Sequence, residues 1–189
     1  MTFKLLSKAA LAVAAMGLCL SAASAAYKSE YKLSVVPGAS SGWGQTATFF
    51  ADCVRQKSNG RINIKPYFGA QLMAGKQTSE LLLVRRGAID FALASTINWS
   101  PQIKELNLTA LPFFVANNPD RYKAIDAIEA GKSGKMLEKA IEKTGVKFLG
   151  WSENGFRELT TSKGPIEKPE DMKGMKLRVC GTPIFIDIF

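Results

Sequence analysis

Apolar and polar positions change period repeatedly along this chain, and each change marks an element. Residues 31–36 read as a strand that Pro37-Gly38 stops. Residues 41–57 place Trp43, Ala47 and Phe50 at helical spacing, and Asn59-Gly60 closes the run in the manner of a C-cap. In residues 61–67, Ile62, Ile64 and Pro66 recur with the period of a strand. Residues 76–86 predict an amphipathic helix ended by Gly87, and 89–94 a short apolar strand. Residues 108–115 are apolar around Pro112. Residues 120–130 and 133–143 predict two helices separated by Gly131, and 146–151 predict another buried strand. Strand patterns return at 154–162 and at 175–179, where Met175, Leu177 and Val179 share one face. Between them Pro169-Glu170-Asp171 opens a single helical turn that Gly174 ends. Strands alternating with helices indicate an α/β fold with a largely parallel sheet. No internal repeat, low-complexity run or interdomain linker interrupts the pattern.

The two ends read differently from the middle. Lys4 and Lys8 precede an uncharged apolar run over 9–20, and Ala23-Ser24-Ala25 forms a small-x-small cleavage site. The run is too short to span a bilayer as a helix, so residues 1–25 are expected to be a secretory signal cleaved near Ala25. Cys19 follows the bulky Leu18, which argues against lipid attachment. At the other end Thr182-Pro183 make an N-cap and N1 pair, followed only by the apolar residues 184–189 around Asp187. The pattern reads as a chain that stops while entering an element packed against something absent, with an exposed apolar stub.

Charge and composition narrow the chemistry. The formal charge is +9, and +7 once Lys4 and Lys8 are removed. Lysines and arginines are scattered without an aromatic-interleaved basic stripe, which argues against dedicated nucleic-acid binding and favours small anions. The chain has no histidine, so no Ser-His or Cys-His couple and no histidine metal site can form. Cys53 falls in a helical pattern and reads as a buried thiol. A Cys53–Cys180 disulfide is compatible with an oxidising compartment. Gly42-Trp43-Gly44-Gln45-Thr46-Ala47 matches a dinucleotide fingerprint, but the glycines come well past the strand end and 61–67 carries no acid for a ribose hydroxyl. Gly131-Lys132-Ser133 ends like a phosphate loop, yet Asp126 stands where its first glycine belongs. A simpler use of residues 37–42 is a flexible loop whose N–H groups, with the helix N-terminus, face a ligand anion.

Two arginines carry the sharpest signal. Arg157 lies in Asn154-Gly155-Phe156-Arg157-Glu158, and Arg178 lies between Leu177 and Val179 with no acid in its own segment. A guanidinium in an apolar strand needs an anionic partner, and its planar fork suits a carboxylate. The competing reading is an arginine on the exposed face of an edge strand.

The motifs Gly38-Ala39-Ser40-Ser41, Gly69-Ala70-Gln71-Leu72, Gly87-Ala88-Ile89-Asp90-Phe91 and Leu111-Pro112-Phe113 occur in that order. Residues 155–162 and 171–179 follow them. In these the chain resembles the DctP-type solute-binding proteins of TRAP transporters, from Tyr31 nearly to Phe189. The resemblance implies a type II periplasmic binding protein-like, Venus-flytrap α/β fold, truncated here so that its lobes are incomplete. After the signal at 1–25, a lobe I α/β portion is expected over 26–150, and crossover strands with the start of lobe II over 151–189. It implies a periplasmic, non-enzymatic subunit that needs no cofactor or metal. Such a subunit closes on a small organic acid and delivers it to the membrane permease. The family's Gly-x-Arg and Lys-Gly-x-Lys-x-Arg-Val arginines contact ligand, which carries over to Arg157 and to Arg178 as the carboxylate partner. Polar residues after the Gly-x-Ile-Asp strand point to Ser95 and Asn98. Val36 stands where some members place a polar contact, and Cys180 replaces a common proline. An exported enzyme on the same fold class would have to use Ser, Lys or carboxylates. Glu153 and Glu158, the acids nearest Arg157, show no general acid/base spacing. A binding protein for another transporter class is the third reading.

Overall fold

The computed structural model describes residues 27–189, so the predicted signal over 1–25 lies outside the described residues. The middle of the fold is a parallel sheet of β1 (Tyr31–Val35), β2 (Ile64–Tyr67) and β3 (Phe91–Leu93) in the order β2-β1-β3. β1 is central, pairing Tyr31 with Ile64 on one side and Leu33 with Phe91 on the other. Pro66 is tolerated because β2 is an edge strand, with no ladder on its outer side among the described residues.

Alternation along β1 sends its side chains into two cores. Leu33 and Val35 face α1 (Gly42–Lys57), where Ala47, Ala51 and Ile64 complete a cluster joined by Trp43, Phe50, Phe91 and Leu93. Ser34 points to the opposite face, as the twofold period of a strand requires. On that side Leu81 of α2 (Glu80–Arg85) and Trp99 of α3 (Thr96–Trp99) pack with Ile103 and Leu106. Leu137, Ala140 and Ile141 of α5 (Lys132–Glu142) complete this second core. Its partner α4 (Arg121–Ala130) begins at Asp120, whose carboxylate accepts the Lys123 N–H. Only Gly131 separates the two helices.

Several expected elements take another form. The helix expected over 76–86 divides into a 3-10 turn, Gln77–Ser79, and the short α2. The strand expected over 146–151 is an extended segment without a ladder partner: Val146, Phe148 and Trp151 pack on the second core, while Leu149 is exposed. Residues 154–162 are likewise exposed and unpaired, and 175–179 keep their alternation with no neighbouring strand. Strand formation needs a partner's hydrogen bonds as well as a period, and none of the three segments has one among the described residues. The turn over Pro169–Met172 forms as expected. α6 (Pro183–Ile188) forms after Thr182, and Phe185 is buried rather than left in an exposed stub; Ile186 and Phe189 remain exposed. Cys53 is only half-buried, and both Cys53 and Cys180 are free thiols.

Candidate functional site

The chain passes from β1 to β2 on one side of β1, then returns to place β3 on the other. The carboxyl ends of β1 and β3 therefore flank a topological switch point, where open parallel sheets bind ligands. Two connections meet there. The first, residues 36–41, leads from β1 into α1, and Ser41 caps that helix by accepting the Gly44 N–H at 3.1 Å. A side chain at Gly44 would lie 2.3 Å from the Ala39 carbonyl oxygen, so the loop is folded directly onto the first turn. No acidic residue occupies that turn, and the positive end of α1 is left uncompensated.

The second connection runs from β3 into α3 and carries Ser95 and Asn98. Ser95 is half-buried at the N-cap position, its hydroxyl not used as a cap. Asn98 is buried and donates from Nδ2 to Gln77 Oε1 at 3.2 Å. The same region is fastened twice more. Gln102 Nε2 donates to the Thr78 carbonyl at 2.8 Å, and the Trp99 indole donates to Glu80 Oε2 at 3.0 Å. Glu80 has no exposed surface and also accepts from Ser34 Oγ at 2.5 Å. Burial pushes its carboxyl up to about 7, against the two hydrogen bonds, which favour the charged form. Sequence reasoning missed Glu80: in an amphipathic pattern an acid beside Leu81 reads as the polar face.

The arginines lie on the extended segments, both exposed, which corrects the expectation that they sit in buried strands. Arg157 Nη2 donates to Cys180 Sγ at 3.5 Å, and its guanidinium stacks 4.8 Å from the Phe185 ring centre. Arg178, two residues before Cys180, makes no ion pair or hydrogen bond among the described residues. The fold thus brings Arg157 to Cys180 and Phe185, with Arg178 two residues before Cys180, and carries Ser95 and Asn98 on one short helix. The segment bearing Arg157 is tied to the sheet's carboxyl edge by Trp43, whose indole N–H donates to Asn154 Oδ1. Two surface cavities of about 400 and 380 Å³ lie elsewhere, one around Phe114 and Ile128, the other around Asp52 and Lys65. Among the described residues no group of His, Cys, Asp and Glu is arranged to hold a metal.

Residues 33–189 match the family described as bacterial extracellular solute-binding protein, family 7 (DctP). A TRAP periplasmic solute-binding protein of Ralstonia eutropha H16, solved with bound (S)-2-acetolactate, is 55% identical with a TM-score of 0.81. That match covers 86% of this chain and 51% of the solved one. The 2,3-diketo-L-gulonate-binding periplasmic protein of Escherichia coli is 30% identical over 74% of this chain and 41% of its own length. The C4-dicarboxylate-binding protein DctB of Bacillus subtilis is 30% identical over 84% and 44%. The chain spans rather less than half the length of these two relatives. Its parallel sheet and its solved neighbours give it the type II periplasmic binding protein-like α/β fold, and the chain belongs to the DctP family of TRAP-transporter solute-binding proteins.

Proposed function

We propose that this chain is the extracytoplasmic solute-binding subunit of a TRAP transporter, capturing a small organic acid and delivering it to the membrane permease. Arg178 grips the carboxylate with its fork, and Arg157 supplies a second, more adaptable contact. Ser95 and Asn98 address the polar groups of the acid from the sheet's carboxyl edge. The chain works in the periplasm after loss of residues 1–25; among the described residues no helix is long and apolar enough to cross a membrane. Residues 26–150 serve as the first lobe's portion, and 151–189 as the crossover toward the second. The observation that carries the reading is Arg178: an exposed guanidinium with no partner among the described residues, two positions before the Cys180 that Arg157 touches. The 55%-identical relative was solved with (S)-2-acetolactate, a 2-hydroxy-3-oxo acid, which supports short 2-hydroxy acids as the ligand class.

Calorimetry with (S)-2-acetolactate, succinate and glucuronate tests this, with reversible binding and no product formed. Arg178→Lys keeps the charge and loses the fork, so affinity should fall by about 1.5–3 kcal/mol, the range of a charge-assisted hydrogen bond. The melting temperature should stay unchanged, because Arg178 is exposed and unpaired. A variant that binds as tightly as the parent removes the carboxylate clamp.

A further inference from the structure

The arginine segment has few anchors, and one of them comes from the far end of the sequence. Residues 152–160 are exposed throughout, so no core of their own fixes where Arg157 stands. Trp43 is different: its half-buried ring packs on the first core, beneath β1 and α1. From that rigid base the indole N–H reaches Asn154, 111 residues later and three before Arg157. Gly155, at φ +78°, bends the chain immediately after Asn154, a conformation that side chains rarely adopt. The bend lets Phe156 dock on α4, edge-to-face with Tyr122 at 5.7 Å and 5.4 Å from the Arg121 guanidinium. The third contact is that of Arg157 itself with Phe185 and Cys180.

We infer that Trp43 is a positioning residue for ligand capture, acting through Asn154 to fix the place of Arg157. This rests on the reading of Arg157 as a ligand contact. A tryptophan suits the task because its ring is held by packing while its single donor points in one direction. The bond joins the first turn of α1 to the arginine segment, so the two walls of the ligand site share one reference frame. Without it, Arg157 samples more orientations, and a ligand must order the segment on binding.

The test measures the affinity of the full chain for (S)-2-acetolactate and for succinate, beside the melting temperature. Trp43→Phe keeps the packed ring and removes the donor; Asn154→Ala removes the acceptor on an exposed segment where folding is not at stake. Each should weaken binding about fivefold, the net worth of one hydrogen bond. The double variant should be no weaker than either single one. In an Arg157→Ala background, Trp43→Phe should cost nothing further, an outcome that general loosening of the core does not produce. Parent-like affinity in both single variants, or an undiminished Trp43 effect without Arg157, overturns the inference while leaving the carboxylate reading standing. A parent that binds neither acid overturns that reading, and this inference with it.

Discussion

Glu80 sits with both carboxylate oxygens occupied, one by the Ser34 hydroxyl and one by the Trp99 indole, and with no water-accessible surface. Two hydrogen bonds do not replace the hydration a carboxylate loses, which is why burial dominates and its folded-state value rises to about 7. Among the described residues no lysine or arginine offsets the charge, and only the hydrogen bonds of Ser34 and Trp99 act on it. The sign of the linkage follows. Between about 4.5 and 7 the folded state holds a proton that the unfolded chain has released. The contribution of Glu80 is therefore complete below 4.5 and lost as pH rises to 7. Its full size is on the order of 3 kcal/mol. Glu30, Asp90 and Glu142 are shifted the other way, so their contributions fade only as pH falls below the ordinary carboxylate range. Subtracting the profile of Glu80→Gln from that of the parent isolates the one group. Denaturant melts at pH 4.5 and 8 should show the parent losing stability relative to the variant as pH rises. Parallel profiles would mean that Glu80 is neutral throughout, or compensated.

At the scale of elements, the packing of α4 against α5 turns on Gly134. It is buried in the first turn of α5, and a Cβ built there would lie 1.8 Å from the Glu129 carbonyl oxygen. Helix propensity alone makes Gly→Ala favourable by about 1 kcal/mol. The clash is with backbone and cannot be relieved by a rotamer, so Gly134→Ala should instead destabilise by roughly 1–3 kcal/mol, as overpacking does. A thermal melt in which the variant gains stability removes this account of the joint. The two helices were legible from their period, as were β1 and the long α1, because each packs a face, only half-buried in α4, against something adjacent in sequence. The extended segments were not. Met175, Leu177 and Val179 alternate like a strand, but a ladder also needs a neighbour, which no local pattern supplies. Arg178 stands out in the sequence because its own segment holds no acid, while the Trp43–Asn154 bond joins residues too far apart for spacing to reveal. Glu80 was hidden for a related reason: its burial is decided by Ser34 and Trp99, neither in its own element.

The molecule as a whole is built on one narrow sheet that feeds two cores. Leu33 and Val35 belong to the cluster beneath α1, whereas Ser34, between them, is bonded to the Glu80 that leads into Leu81 and the other cluster. Ala92 and its neighbours Phe91 and Leu93 are divided between the same two faces. Neither core can come apart without stripping one side of β1 and β3, so the two should unfold together. The segment over 152–168 lies outside this unit, mostly exposed and without ladder hydrogen bonds. Native-state hydrogen exchange separates these regions. Amides of β1, β3 and α1 should exchange only through global opening, and those of 152–162 close to the rate of an unfolded chain. The sharper expectation concerns Leu81, fully buried in the second core. Leu81→Ala should cost about 2–5 kcal/mol, and slow amides of β1 should lose protection by that same amount although Leu33 and Val35 lie in the other core. If β1 keeps its protection while α5 loses it, the two cores are separate cooperative units and the sheet does not couple them.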